Sequence, residues 1–187
     1  MGAAAPLTSA PGRRPVRPDP PETPTQPALV AMTRQLNALK AILQRAEDHC
    51  AAKGIDPAVL MQARLFPDML PFWRQVTIAC DHAKGAAHRL AARDIPSAPD
   101  VETTFAELRD RIDRTLALVA EVPAEAMEGF EARQVTIRMR MGEMTLSGTD
   151  YLWGFALPNF FFHATTAYNI LRHSGLDLGK RDFLGAP

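Results

Sequence analysis

Four segments of this chain place apolar or core-type residues three and four positions apart, and that period commits most of the sequence to amphipathic α-helix. The first segment carries Met32, Leu36, Leu39, Leu43, Ala46 and Cys50 on one stripe and stops at Gly54. Asp56 followed by Pro57 reads as a cap and first helical position, so a short accessory helix runs from 57 to about 64. A long helix beginning near Pro67 carries Met69, Trp73, Val76, Cys80, Ala83, Ala87 and Leu90, and ends before Ile95-Pro96. Thr104 and Glu107 have capping-box spacing and open a third long helix with Phe105, Leu108, Ile112, Leu116 and Val119 inward. Between it and the last segment the period changes to two. Val135, Ile137, Met139 and Met141 alternate with Thr136, Arg138 and Arg140, which predicts a small hairpin with its turn at Gly142-Glu143.

Composition narrows the function classes. Lys plus Arg and Asp plus Glu number 21 each, so there is no basic excess to neutralise a phosphate backbone, and nucleic-acid binding is excluded as an expectation. Two cysteines cannot frame a disulfide-rich secreted domain. Both lie on helical stripes and are expected to be inert core thiols. Eight of the 16 prolines fall in residues 1–28, which show no apolar period and no unbroken apolar stretch of the kind a signal peptide needs. The expected organisation is therefore a disordered proline-rich extension over 1–28 and one helical domain over 29–187, in the cytoplasm. Two i,i+4 pairs, Glu107 with Arg111 and Asp110 with Arg114, read as a solvated face without function. His49 and His173 read as surface residues near helix C-termini.

The last segment carries the functional signal. Residues 151–171 contain no Asp, Glu, Lys or Arg, but Gly154, Pro158, Asn159, His163 and Asn169 interrupt any membrane span, and a buried bundle helix fits instead. At about 100° per residue, Leu152, Ala156, Asn159, His163, Thr166 and Ile170 form one inward stripe. An amide, an imidazole and a hydroxyl placed there need partners, because an unpaired buried polar group costs about 1–3 kcal/mol. Mutual hydrogen bonding with a buried water would answer them, and so would a metal or polar ligand held by His163, Asn159 and Thr166.

The segments ARLFPDMLPFWRQV, CDHAKGAAHRLA, YLWGFALPNFFFHATTAYNILRHSG and LGKRDFLG resemble a bacterial branch, of unknown function, of the DinB superfamily of helical bundles. The likeness covers about residues 30–185. It implies an all-α, up-down four-helix bundle with a short accessory helix and a small β-hairpin between helices three and four. DinB proteins typically bind a divalent metal through one His on the second helix and an HxxxH pair on the fourth. Counting back from Gly175 puts His163 at the second His of that pair and Asn159 at the first, a weaker and harder ligand. On the second helix the candidates are Gln75, Asp81 and His82, and Asp81 is preferred, either as a ligand or as acceptor of the second ring proton of His163.

The resemblance thus implies an enzyme of the thiol-dependent transferase or isomerase type, with nickel, zinc or iron on His163, Asn159 and Asp81, and with Asp81 and His163 catalytic. The alternative is a non-catalytic dimeric binding or scaffold protein that has lost the metal and pairs through Phe161, Phe162 and Tyr168. The C-terminal Lys180, Asp182 and Phe183 are expected either to fold back over the bundle end or to fray.

Overall fold

The residues of the first stripe are all at most 1% exposed: Met32, Leu36, Leu39, Leu43, Ala46 and Cys50 form one wall of the core. They belong to α1 (Thr25–Lys53), which ends where Gly54 takes a left-handed φ of 65°. Then follow α2 (Pro57–Met61), α3 (Phe72–Leu90), α4 (Phe105–Ala120), β1 (Gln134–Met139), β2 (Gly142–Ser147), α5 (Gly148–Asp150), α6 (Leu157–His173) and α7 (Lys180–Leu184). The computed structural model describes Met1 and residues 25–139 and 142–185. Among these the protein is mostly helical, with one two-stranded antiparallel sheet.

Several boundaries differ from the sequence expectation. The leader expected over 1–28 gives way to helix at Thr25; Pro27 sits in the first turn, where its missing N–H goes unused, and Ala28 already joins the core. The rest of that leader, residues 2–24, lies outside the described residues. The accessory helix stops at Met61, and α3 begins at Phe72 rather than near Pro67. Residues 62–71 form a loop between them, closed by the Phe72 N–H donating to the Ala63 carbonyl at 2.9 Å. In the hairpin, Met139 pairs with Gly142 and Arg138 with Glu143, so Gly142-Glu143, expected at the turn, belongs to the second strand. Residues 140–141, including Met141, lie outside the described residues. Val135 and Ile137 are buried while Thr136 and Arg138 face outward, as the alternation requires, but Met139, expected on the buried side, is exposed.

Helix α3 is central. It packs against α6 on one side, α4 on another and α1 on a third, and residues from nearly its whole circumference are buried. Against α4 the contact is charged. Arg111, expected on a solvated face, is 1% exposed. Its Nη2 donates to Asp81 Oδ1 of α3 at 2.9 Å, and its Nη1 to Glu102 Oε1 at 3.1 Å and to the Pro99 carbonyl at 3.0 Å. Lys84, 5% exposed, reaches the same Asp81 oxygen at 3.1 Å. The guanidinium therefore ties α3, α4 and the extended 91–104 connection together. The capping box opens α4 as spaced, with the Glu107 N–H donating to Thr104 Oγ1 and the Thr104 N–H to Glu107 Oε2.

The entry to α6 explains the largest shift of register. Residues Tyr151–Ala156 form a π-helical turn. Pro158 has no N–H for the Gly154 carbonyl and its ring crowds that position, so the helix widens ahead of it. The buried face then runs Leu152, Ala156, Phe160, Ala164, Ala167 and Leu171, and Ile170 of the expected stripe is buried beside it. Asn159 and His163 lie on its flank and are half-buried, and only Thr166 of the three polar residues is buried. Helix α7 folds back on α1 and α6. Gln35 donates to the Phe183 carbonyl at 2.8 Å, Arg45 pairs with Asp182, and the Phe183 ring meets Tyr168 edge-on at 5.5 Å.

Removing one partner of a buried ion pair strands the other, at a cost of about 3–5 kcal/mol. Arg111→Met should therefore destabilise the protein by about 3 kcal/mol in guanidinium denaturation, and adding Glu102→Gln, which neutralises the stranded carboxylate (3% exposed side chain), should recover part of the loss.

Candidate functional site

The flank of α6 that carries Asn159 and His163 meets the α3 face that carries Gln75 and His82. Gln75 is 1% exposed. Its Nε2 donates to the Leu70 carbonyl at 2.9 Å, which turns its Oε1 toward His163 Nδ1 at 2.7 Å. A backbone carbonyl only accepts and an amide oxygen only accepts, so the direction of the relay is fixed: His163 must donate from Nδ1. In the neutral ring Nε2 is then a bare lone pair with no hydrogen bond to a described residue. This is how proteins orient a histidine that is to bind a metal or take up a proton at the other nitrogen.

His82 lies beside it. The two rings are nearly parallel, 15° apart, with centroids at 5.9 Å. Phe155 flanks His82 at 5.7 Å and Phe162 meets His163 edge-on at 5.2 Å, so the paired imidazoles sit in an aromatic row. Desolvation first, and then the neighbouring His163, push the His82 imidazole down to about 4. Desolvation and the Arg74 guanidinium lower that of His163. Both rings are neutral near pH 7, the form in which imidazole offers a lone pair.

The other expected site residues are placed differently. Asp81 and His82 are adjacent on α3 and therefore about 100° apart around it. Asp81 faces α4, where its carboxylate meets Arg111 and Lys84, and the acceptor that Asp81 was expected to provide for His163 is Gln75. Asn159 is the half-buried neighbour of His163 by one turn. Its Nδ2 donates to the Phe155 carbonyl at 2.7 Å, which leaves Oδ1 available. Thr166 bonds back to the Phe162 carbonyl at 2.7 Å and is satisfied by its own helix. Gln75 and His82 were both visible as second-helix candidates. What takes Asp81 away from the site is a tertiary contact, its ion pair with Arg111 of α4, which no spacing along the chain reports.

His82, His163 and, one turn from it, the Asn159 amide oxygen are groups whose chemistry suits a borderline divalent cation; among the described residues no group of three His, Cys, Asp or Glu converges. The thiols are not alternatives. Cys50 and Cys80 are free and buried, and desolvation pushes Cys80 up to about 12. Of the aromatic residues assigned to a subunit contact, Tyr168 is half-buried under Phe183, Phe161 is half-buried, and Phe162 is 57% exposed. No described helix is long and apolar enough to cross a membrane.

Comparison with known proteins gives two findings. The family described as Domain of unknown function (DUF1993) matches residues 26–184. The crystal structure of a DinB family member protein from Shewanella denitrificans is similar to this one, with 38% sequence identity, a TM-score of 0.80, and coverage of 85% of this chain and 90% of that one. No curated protein matches the chain.

The pH dependence of stability tests the burial of His82. Its folded value is depressed from the ordinary imidazole value of 6.5 to about 4, so between these limits the unfolded chain binds a proton that the folded chain refuses. Stability from this group is fully present above pH 6.5 and is lost as the pH falls toward 4. Denaturation at pH 7 and pH 4.5 should show wild type losing about 2 kcal/mol more than His82→Gln, which cannot titrate.

Proposed function

The chain belongs to the DUF1993 family and is related to the DinB family, and we propose that it is a helical-bundle enzyme whose reaction centre is the His82–His163 pair. The four long helices α1, α3, α4 and α6 are read as an up-down bundle, with the pair at the α3–α6 seam. One observation carries the reading: the Leu70–Gln75–His163 relay spends a fully buried glutamine on fixing one imidazole tautomer. The relay occupies Nδ1 and leaves the Nε2 lone pair uncommitted beside a second imidazole, which is what a ligand site requires.

In this reading His163 Nε2, His82 and the Asn159 amide oxygen hold a divalent metal, nickel, zinc or iron, in place of the usual three histidines. A metal bound there would act as a Lewis acid and would lower the pKa of a coordinated thiol or water. Gln75 is a positioning residue that holds the His163 ring and raises the basicity of its lone pair. Phe155 and Phe162 exclude water from the two rings and supply an apolar edge for a ligand. The reaction class is group transfer or isomerisation with a small thiol, as the DinB resemblance implies, in a cytoplasmic protein. A second reading, a non-catalytic dimeric bundle, is favoured only by the exposure of Phe162 at 57% and Trp153 at 51% beside the same seam.

Protein purified without a His-tag should carry a stoichiometric divalent metal by elemental analysis. His163→Ala and His82→Ala should abolish it, and Gln75→Leu should weaken metal affinity about 10–100-fold while leaving the fold intact by circular dichroism. Protein that is metal-free, and that does not take up added nickel, zinc or iron, contradicts the reading.

A further inference from the structure

The opposite flank of α3 carries a second polar site, independent of the paired histidines. Between α3, α4 and residues 97–102 lies a cavity of about 340 Å³, walled by Lys84, Glu102, Arg111, Arg114 and Thr115. Lys84 is 5% exposed, and a buried ammonium needs full compensation. Its one ion-pair partner among the described residues is Asp81 Oδ1 at 3.1 Å, an oxygen already taken by Arg111 Nη2 at 2.9 Å. One carboxylate oxygen thus serves two cations. An ammonium has three N–H groups, so two remain unanswered by that contact.

Charge counting over the whole cluster gives the same result. Asp100 is shared between Arg74 and Arg111, and Glu102 between Arg111 and Arg114. Four cations, Arg74, Lys84, Arg111 and Arg114, face three carboxylates, Asp81, Asp100 and Glu102. The remaining positive charge lies on the cavity side, where Lys84 and Arg114 both line the wall. Glu102 does not close the site to an anion, because its Oε1 is held by Arg111 and its Oε2 accepts from the Val101 N–H at 3.1 Å. Arg114 is free to move onto a ligand: its side chain is 62% exposed and its contact with Glu102 is long, at 3.6 Å.

We propose that this cavity binds a small oxyanion, a carboxylate or a phosphate. Lys84 Nζ and the Arg114 guanidinium provide the hydrogen bonds, and Arg111 provides charge from behind. The bound anion cancels the excess charge between α3, α4 and the 91–104 connection, so occupancy stabilises the packing of all three.

Inorganic phosphate is titrated into the full chain at constant ionic strength, with sodium chloride as the balancing salt, and the melting temperature is followed. Wild type should show a saturable rise of about 3–5 °C. Lys84→Met should lose the saturable part, and Arg114→Gln should shift its midpoint several-fold to higher phosphate. Acetate in a parallel titration separates the two sources: saturation with acetate alone assigns a carboxylate, and with phosphate alone a phosphate. Should Lys84→Met not fold, Arg114→Gln, altered at an exposed side chain, carries the test. A rise that is unsaturated and equal in all proteins is a general salting effect. That result, or no rise at all, overturns the proposal.

Discussion

The ion pair between Arg111 and Asp81 sets the rotation of α3 and, through it, the membership of the site. A guanidinium 1% exposed must be met by carboxylates and carbonyls inside the protein. Asp81, Glu102 and the Pro99 carbonyl meet it, and this fixes which side of α3 faces α4. Helix geometry does the rest. With Asp81 held toward α4, His82 lies about 100° further round, and Gln75, two turns back, points with it toward α6. One pinned residue thus divides the polar groups of α3 into a charged flank and an imidazole flank.

The two flanks behave differently because their solvation differs. On the charged flank opposite charges lie within a few ångströms of one another. On the imidazole flank no described carboxylate is in hydrogen-bond contact, desolvation dominates, and both rings are neutral near pH 7. Orientation there depends on a relay that begins in the 62–71 loop, at the Leu70 carbonyl, and reaches α6 through a single buried amide. Leu65, Phe66 and Leu70 are exposed on that loop, so the least buried segment near the site also sets the angle of His163. A motion of the loop would change the direction of one lone pair without altering any helix.

How much of this was legible in the sequence depends on which force decided each element. Where burial alone decides, the spacing sufficed: the α1 stripe from Met32 to Cys50 is buried residue for residue, and the Thr104–Glu107 capping box formed as read. The stripe of the last helix is buried at Leu152, Ala156, Thr166 and Ile170 but not in its middle, because Pro158 forces a π-helical turn, an extra residue per turn that a constant 100° step cannot represent. That moved Phe160 and Ala164 into the core and put Asn159 and His163 on the flank. Arg111 was read as solvated from its pairing with Glu107 along the helix, yet Leu108, Arg111 and Thr115 share a buried face. Its true partners come from residues 81, 99 and 102, and no local spacing reports them. The same tertiary capture removed Asp81 from the imidazoles and left Gln75, an uncharged residue with no motif of its own, as the partner of His163.

The relay fixes the protonation of one ring, and long-range ¹⁵N–¹H correlation spectra of the histidine side chains read it directly. At pH 7 and without added metal, His163 should be the neutral tautomer with its proton on Nδ1 and a deprotonated Nε2, and Gln75→Leu should release it to a mixture of tautomers. A proton on Nε2 with Nδ1 bare, or a charged ring unaffected by residue 75, would contradict the relay and the site built on it.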